Sequence, residues 1–214
     1  MNLSLEELRR LSDTLDTIPD DRPQWLKDLP YGMESISHYY RLLFELVKRY
    51  KPEYVLEIGI DKGGSTLTLA AANPGGSVVS VDIDKPSCDN ARKIAADHGL
   101  TNLLVIQDDS LKHVTRLGEI GRKADLLFID GWHDFNHSYQ EYEQYRKFMK
   151  DGGIILFDDI HESRQMDVMW QYIIDPKVEL PKSHWTGFGA CKVNHSIVCP
   201  PWSAIVVEAT RKFS

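Results

Sequence analysis

Residues 54–72 constrain the fold more than any other part of the sequence. A mostly apolar run at 54–58 leads into a turn that contains Gly59, Gly63 and Gly64, and a helical pattern follows. A buried strand, a glycine-rich turn and a helix in this order are how a parallel α/β sheet forms a pocket for a ligand that contains a nucleoside. The sequence therefore predicts such a pocket at this turn.

The alternation of strand and helix continues downstream. Continuous apolar runs, typical of strands buried on both faces, occur at residues 78–81, 103–106, 126–129 and 154–157. Helical segments between them are expected at 85–98, 110–117 and 138–150. The pattern predicts an α/β fold with a Rossmann-like, doubly wound and mainly parallel sheet.

The C-terminal part of the chain is expected to complete the sheet. After a helix at 166–174, two segments at 187–193 and 204–209 have strand-like patterns and are predicted to form a closing antiparallel pair. We expect residues 53–214 to form one compact unit that carries the ligand pocket.

Residues 1–52 are predicted to form an N-terminal helical preface to this unit. Ser4 and Glu7 have the spacing of a capping box ahead of a first amphipathic helix, and a second helix is expected at 37–50. The preface could cover a sheet edge or lie across the mouth of the pocket.

Composition limits the possible partners and the location. The 214 residues include 42% hydrophobic residues, which is enough for one sizeable core, and the net charge of -7 gives no reason to expect a nucleic-acid partner. The three cysteines have no paired spacing, which favours a reducing compartment, and residues 1–20 lack the apolar run of a signal peptide or a membrane span. We expect a cytoplasmic protein without a membrane partner, and a homo-oligomer is possible.

The charge at the glycine turn favours one nucleoside ligand over another. A dinucleotide site needs a third glycine where Asp61 stands between Gly59 and Gly64, so that the backbone can approach the phosphates. A carboxylate there would repel a pyrophosphate. S-adenosylmethionine has no phosphate and carries a sulfonium and an ammonium, so Asp61 favours it. Asp82, at the end of the next strand, could hold the ribose hydroxyls of either ligand.

Five motifs in order now resemble a known family. They are Glu57-x-Gly59-x-x-x-Gly63-x-Ser65, Val81-Asp82, Asp109-Ser110, Phe128-Ile129-Asp130-Gly131-x-His133, and Gly152-Gly153 through Asp158-Asp159. Together they resemble a class I S-adenosylmethionine-dependent methyltransferase. The chain is most similar to the metal-dependent small-molecule O-methyltransferases of the catechol O-methyltransferase type, and to related bacterial natural-product methyltransferases with an Ile-Asp-Gly-x-His motif. The resemblance covers residues 53–160.

The resemblance implies which residues bind the cofactor. Glu57, Gly59 and Ser65 would line its methionine end, and Asp82 would hold its ribose. Asp109 and Ser110 would lie beside the adenine, and Trp132 could cover one face of that ring. The full set of implied cofactor-binding residues is Glu57, Gly59, Asp61, Gly63, Ser65, Asp82, Asp109, Ser110, Asp130 and Trp132.

The resemblance also implies a metal site. Asp130, Asp158 and Asp159 match the metal-binding positions of the family, and an oxygen-only set fits Mg²⁺ or another divalent cation. Without the resemblance, adjacent aspartates after a strand could simply cap the next helix. That alternative explains one aspartate better than three that converge.

Two histidines are candidates for the catalytic base, beside Asp130 as a third catalytic residue. His133 occupies the position at which the catechol enzymes carry a lysine base, and a histidine can accept a hydroxyl proton near neutral pH. It could equally be a structural histidine of the loop. His161 is a second candidate, as base or metal ligand, and His137 and His38 are weaker ones.

Aromatic residues near both ends of the chain could form the walls of an acceptor pocket, although such residues more often belong to the core. They are Tyr31, Tyr39, Tyr40, Trp170, Tyr172, Trp185, Phe188 and Trp202.

The predicted function is methyl transfer from S-adenosylmethionine to a hydroxyl group of a small metabolite, assisted by a divalent cation, in natural-product biosynthesis. Two alternatives stay open at this point. The acceptor could be RNA or a protein side chain, against which the acidic charge argues. The chain could also be a non-catalytic S-adenosylmethionine-binding module, against which the intact acidic and histidine positions argue.

Overall fold

Seven strands form one sheet in the part of the chain that the computed structural model describes, residues 3–29 and 34–213. They are β1 (Tyr54–Ile58), β2 (Ser77–Asp82), β3 (Leu103–Gln107), β4 (Ala124–Ile129), β5 (Met149–Phe157), β6 (Lys177–Glu179) and β7 (Gly189–Lys192). Their order is β3-β2-β1-β4-β5-β7-β6, and the first five are parallel. The chain therefore reverses its direction of winding between β1 and β4, where an open α/β sheet forms its ligand crevice.

Helices cover both faces of the sheet. They are α1 (Leu5–Thr14), α2 (Gln24–Lys27), α3 (Glu34–Tyr50), α4 (Gly64–Ala72), α5 (Lys85–Asp97), α6 (Ser110–Ile120), α7 (Phe135–Tyr145), α8 (Arg164–Tyr172) and α9 (Trp202–Phe213). Alternate strand residues face opposite sides, so Leu56 and Leu127 pack with α6 to α9, and Val55 and Leu126 pack with α1, α3, α4 and α5. This arrangement confirms the predicted doubly wound fold.

The N-terminal helices share the second of these two cores. The capping box is present at α1, where the Glu7 amide donates to the Ser4 hydroxyl at 3.1 Å. The second helix of the preface begins at Glu34, three residues before its predicted start. Leu8 of α1 and Leu42 of α3 are fully buried with Val55 of β1. Residues of the preface thus belong to the same core as the sheet.

The predicted strand at 204–209 is wrong, because this segment lies within helix α9. The β-branched run Ile205-Val206-Val207 suggested a strand, but the buried residues are Ile205 and Ala209, four residues apart, and Val207 is exposed. This spacing places one apolar stripe of a helix against the core. Tertiary burial thereby overrides the local β-propensity.

The other predicted closing strand is confirmed as β7, although its neighbours were not predicted. It pairs antiparallel with β5, where Gly189 is opposite Phe157, and with the short edge strand β6. Strand β5 begins at Met149, within a stretch predicted as helix, and α7 ends at Tyr145. No helix within the described ranges is both long and apolar enough to cross a membrane.

Candidate active site

The turn after β1 brings two strand ends into direct contact. Gly59 and Gly63 have φ angles of 90° and 91°, and Asp61 between them also has a positive φ of 44°. A Cβ atom on Gly59 would lie 1.9 Å from the carbonyl oxygen of Asp130 at the end of β4. Only glycine combines this φ with so close an approach, and the crevice between β1 and β4 depends on it.

A cavity of about 480 Å³ opens beside this turn at the carboxyl ends of the parallel strands. Of the residues implied to bind the cofactor, seven line it: Gly59, Asp61, Asp82, Asp109, Ser110, Asp130 and Trp132. The other three, Glu57, Gly63 and Ser65, are not part of its lining. The structure thus brings together most of the predicted cofactor-binding residues.

Asp82 is held firmly at the end of β2. One of its carboxylate oxygens accepts from the Ile60 amide at 2.7 Å, and the other accepts from the Asp84 amide at 2.8 Å. These hydrogen bonds join β2 to the glycine turn and fix the carboxylate at the cavity wall.

Glu57 lies behind the turn, within the core. Its carboxyl group is buried and accepts from the hydroxyls of Thr66, at 2.6 Å, and Ser80. Burial raises the pKa of Glu57 to about 7, although hydrogen bonds from Ser65, Ser80 and Thr66 oppose the rise. The group therefore supports the turn from behind.

Three aspartates meet where β4 and β5 end, as predicted. Asp158 and Asp159 are buried directly after β5, and Asp159 has a positive φ of 55°. His133 bridges the cluster, because its Nδ1 lies 2.9 Å from Asp159 Oδ2 and its Nε2 lies 3.5 Å from Asp130 Oδ1. The Glu162 carboxylate also lies 2.9 Å from His133 Nδ1. The predicted base is thus in contact with two of the predicted metal ligands.

His184 was not predicted from the sequence, and it enters the cluster from the loop before β7. Its Nδ1 lies 2.9 Å from Asp158 Oδ1 and 3.3 Å from Asp159 Oδ1. Thr186, in the same loop, donates its hydroxyl to Asp159. The sequence contained a clue to this position. A strand antiparallel to β5 begins beside the carboxyl end of β5, so the residues that precede it must lie near Asp158 and Asp159.

Burial and charge make this cluster electrostatically unusual. Burial, together with the neighbouring Asp158, raises the pKa of Asp130 well above its ordinary value, and burial also raises the pKa of Asp158. Burial opposes charge on Asp159 too, but hydrogen bonds from His133, His184 and Thr186 hold its pKa low.

The carboxylates of the cluster raise the pKa of both of its histidines. Despite their burial, hydrogen bonds to Asp130 and Asp159 raise the pKa of His133 to about 11, and those to Asp158 and Asp159 raise the pKa of His184 to about 10. The imidazolium groups offset the carboxylate charges. His133 must therefore lose a proton before it can act as a base.

The structure does not bring His161 to the aspartate cluster. Its Nδ1 lies 2.6 Å from Asp167 Oδ1 and its Nε2 lies 3.4 Å from Glu179 Oε2. The weaker candidate His38 contacts Asp16, at 3.0 Å. Both histidines therefore contact surface carboxylates away from the aspartate cluster.

The donor atoms in the cluster fit a divalent cation. Two groups, Asp130-His133-Asp159 and Asp158-Asp159-His184, each have ligand atoms within 4.8 Å of one another. His133 Nε2 is also buried, and Asp130 Oδ1, at 3.5 Å, is the carboxylate oxygen beside it. Carboxylate oxygens suit Mg²⁺, and added imidazole nitrogens also suit transition metals. The predicted trio is thus divided between two groups that share Asp159.

At one wall of the cavity, the predicted residues Ser110 and His137 contact Glu141, which was not predicted. Ser110, at the start of α6, donates its hydroxyl to Glu141 of α7 at 2.6 Å, and His137 Nε2 lies 3.3 Å from the same Glu141 oxygen. Glu141 was absent from the sequence predictions, because nothing in a helical pattern distinguishes a buried glutamate from an exposed one.

The candidate acceptor-pocket residues divide between the site and the core. The Tyr39 hydroxyl lies 3.5 Å from Asp130 Oδ2, and its ring centroid lies 5.3 Å from that of His184. Trp185 is 76% exposed. The others belong to or pack on the hydrophobic cores: Tyr40, Trp170, Tyr172, Phe188 and Trp202. Tyr31 lies outside the described residues.

A larger depression, of about 750 Å³, lies at the opposite end of the sheet. Its lining includes Asp125 at the start of β4 and Asn194 beyond the end of β7. Ligands of open α/β sheets bind at the carboxyl ends of the strands, so the smaller cavity is the candidate site.

The family comparison agrees with this geometry. Residues 56–160 match a family model described as a methyltransferase domain, and this range contains the glycine turn and all three aspartates.

Solved structures share the fold over most of the chain. An O-methyltransferase from Bacillus cereus in complex with SAH has a TM-score of 0.65 and 20% identity, over 89% of this chain and 100% of that one. The O-methyltransferase TomG from Streptomyces achromogenes, involved in tomaymycin synthesis and in complex with SAM, has a TM-score of 0.66 and 16% identity, over 90% and 99%.

Relatives found by sequence similarity are named as tRNA methyltransferases and not as O-methyltransferases. A tRNA (guanine-N(7)-)-methyltransferase of Chromobacterium violaceum is 30% identical over 139 residues, which are 61% of this chain and 58% of the relative. A second such enzyme, from Shewanella piezotolerans, is 32% identical over 59% of this chain and 54% of the relative. The chain spans somewhat more than half the length of these relatives.

Proposed function

Because residues 56–160 match a methyltransferase-domain family model and the fold is shared with O-methyltransferases in complex with SAH or SAM, we propose that the chain transfers a methyl group from S-adenosylmethionine to a hydroxyl oxygen of a small metabolite. One observation carries the proposal: Asp130 belongs both to the lining of the cofactor cavity and to the cluster with His133. A methyl donor and a proton acceptor would therefore meet at one point.

On this proposal, the residues of the turn and of β2 position the cofactor. The Asp82 carboxylate accepts hydrogen bonds from the ribose hydroxyls, and Gly59 lets the ligand approach the backbone. Asp61 adds negative charge near the cationic end of the cofactor. These residues would hold the methyl donor in the cavity that Asp130 lines.

His133 would take the proton of the acceptor hydroxyl. Its Nδ1 lies against Asp159 and Glu162, so in the neutral ring these carboxylates favour a proton on Nδ1 and leave the Nε2 lone pair free. As the oxygen–carbon bond forms and the sulfur–carbon bond breaks, the hydroxyl proton moves to Nε2. Asp159 then stabilises the resulting imidazolium.

We also propose that Asp130, Asp158 and Asp159 hold a divalent cation, with His184 as an additional candidate ligand. When bound, such a cation lowers the pKa of an acceptor hydroxyl. Exhaustive chelation should therefore abolish methyl transfer, and added Mg²⁺ or Mn²⁺ should restore it. Undiminished transfer after chelation would remove the cation from the proposal.

Calorimetry tests the cofactor part of the proposal. The wild-type protein should bind S-adenosylhomocysteine, and Asp82→Ala should weaken binding by about tenfold or more, because charge-assisted hydrogen bonds to the ribose are lost. Asp89→Asn, a change of a carboxylate on α5 that lies outside the cavity lining and pairs with Arg92, is the matched control. Absence of binding by the wild type would contradict the proposal.

Methylation of guanine N7 in tRNA is the second candidate, favoured by the curated relatives. The net charge of -7 and the aspartate cluster disfavour a polyanionic acceptor. Parallel incubations with unmodified tRNA and with a panel of hydroxylated small molecules, each with methyl-labelled S-adenosylmethionine, separate the two. Label in 7-methylguanosine would support the tRNA function, and label only in hydroxylated small molecules would support the first proposal. Cofactor binding without any transfer would indicate a non-catalytic module.

A further inference from the structure

Glu141 has a carboxylate oxygen whose position calls for a hydrogen-bond donor. The side chain is 1% exposed, and its Oε1 accepts from Ser110 and lies near His137. Its Oε2 is buried and has no hydrogen-bond partner among the described residues. A buried carboxylate oxygen without a donor is costly, so such an atom at a cavity wall indicates a ligand that supplies one.

The carboxylate is built into the wall of the cofactor cavity. Ser110, Gly131, His137 and Glu141 all line it. A Cβ atom on Gly131 would lie 3.3 Å and 3.5 Å from the two Glu141 carboxylate oxygens, so the carboxylate lies against the backbone that follows β4. The hydroxyl of Ser110 and the main chain beside Gly131 together fix its orientation.

The neighbouring carboxylate is already engaged. Asp109 caps α6, because its Oδ1 accepts from the Leu111 amide at 3.0 Å, and its Oδ2 lies 3.4 Å from the Lys112 ammonium. Asp108, which also lines the cavity, has its Oδ2 3.6 Å from His113 Nδ1. Among the described residues, Glu141 Oε2 is thus a buried carboxylate oxygen at this wall that has neither a hydrogen bond nor a cation beside it.

We propose that Glu141 selects the purine base of the cofactor by accepting a hydrogen bond from the exocyclic amino group of adenine. This inference rests on the proposed function, because it assumes an S-adenosyl cofactor in the cavity. An ionised carboxylate can only accept hydrogen bonds. It favours a 6-aminopurine, which presents an N–H there, and disfavours a 6-oxopurine, which presents a carbonyl oxygen.

The test compares two ligands that differ at this one group, S-adenosylhomocysteine and S-inosylhomocysteine, by calorimetry. The wild type should bind S-adenosylhomocysteine about 100-fold more tightly than S-inosylhomocysteine. The oxo group of the inosyl ligand cannot donate a hydrogen bond, so the Glu141 carboxylate would stay unpaired. Glu141→Gln should narrow this ratio by about tenfold or more, because its amide can donate to the oxo group. Glu143→Gln, on the same helix and paired with Lys147, is the matched control and should keep the wild-type ratio.

The outcomes distinguish this inference from the proposed function. Failure of the wild type to bind either ligand overturns the proposed function, on which the inference rests. Equal binding of both ligands by the wild type overturns the inference alone and needs no variant. A folded Glu141→Gln protein with an unchanged ratio also overturns it, since Glu141 would then only join α6 to α7.

Discussion

At Gly59, the site cannot accommodate a side chain. Gly59→Ala should lower the free energy of unfolding by about 3 kcal/mol or more, because it adds the cost of a positive φ to a contact with the Asp130 carbonyl. It should also abolish binding of S-adenosylhomocysteine. Urea unfolding and calorimetry measure the two effects.

Gly99→Ala is the control for this variant. Gly99 has a φ of 67° and would place its Cβ in open space, so the change should cost only about 1 kcal/mol. Equal losses in the two variants would show that the approach of β1 to Asp130 is unimportant.

Glu57 makes stability depend on pH. Its pKa rises from 4.5 to about 7 on folding, because burial disfavours the charged form. Ionising the buried Glu57 carboxyl group lowers the free energy of unfolding. This loss is absent below pH 4.5, grows as the pH rises and is complete above pH 7, where it amounts to roughly 3 kcal/mol. Without cofactor, wild type should lose this stability between pH 4.5 and 7.5, and Glu57→Gln should not. Parallel urea titrations of both proteins that give the same pH profile would contradict the prediction.

At the level of residues, the sequence predicts those site residues whose position follows directly from their place at the end of a strand. Asp82, Asp109, Asp130 and Asp158 follow parallel strands, so they must meet at one edge of the sheet. Residues such as Glu141 reach the site through the packing of a helix. No local pattern carries that information.

Among the elements, α9 is the one that the sequence misidentified, and a pair of variants tests its assignment. Ile205→Ala should cost about 2–3 kcal/mol, because the side chain is 7% exposed and packs on the core. Val207→Ala should change stability by less than about 0.5 kcal/mol, because Val207 is 62% exposed and alanine favours a helix. A strand would place both side chains on one face. Similar losses in thermal or urea unfolding would therefore contradict the helix.

The sequence predicted an element well where both its apolar pattern and the spacing of its neighbouring turns and helices indicated the same structure. Strands β1 to β4 combine apolar runs with turn signals and helices at regular spacing, and each is close to its predicted bounds. Strand β6 has three residues and lies at the edge of the sheet. Its formation depends on pairing with β7, a long-range contact that periodicity does not record.

Across the whole molecule, a buried ion pair joins the end of α7 to the C-terminal segments. The Arg146 guanidinium makes two hydrogen bonds to Asp175, at 2.7 and 2.9 Å, and also donates to the carbonyl oxygens of Asn194 and Ile197. Asp175→Ala should lower the free energy of unfolding by about 3–5 kcal/mol, because it leaves a buried cation without its partner. Chemical denaturation measures this loss.

The exposed pair Arg10–Glu6 is the matched control for the buried one. Its side chains are 69% and 84% exposed. Glu6→Ala should therefore change stability by no more than about 0.5 kcal/mol. A loss in Asp175→Ala as small as this would mean that the ion pair does not hold the C-terminal segments in position.

The loop before β7 has a consequence for how this protein can diversify. His184 and Thr186 contact the aspartate cluster from the last quarter of the chain, whereas the lining of the cofactor cavity ends at Glu141. On the proposed function, residues 160–193 can change the acceptor while the cofactor pocket and the three aspartates stay intact. Divergence between homologues should therefore be concentrated in this segment. Exchange of it as one block offers a route to laboratory evolution of new acceptor preferences.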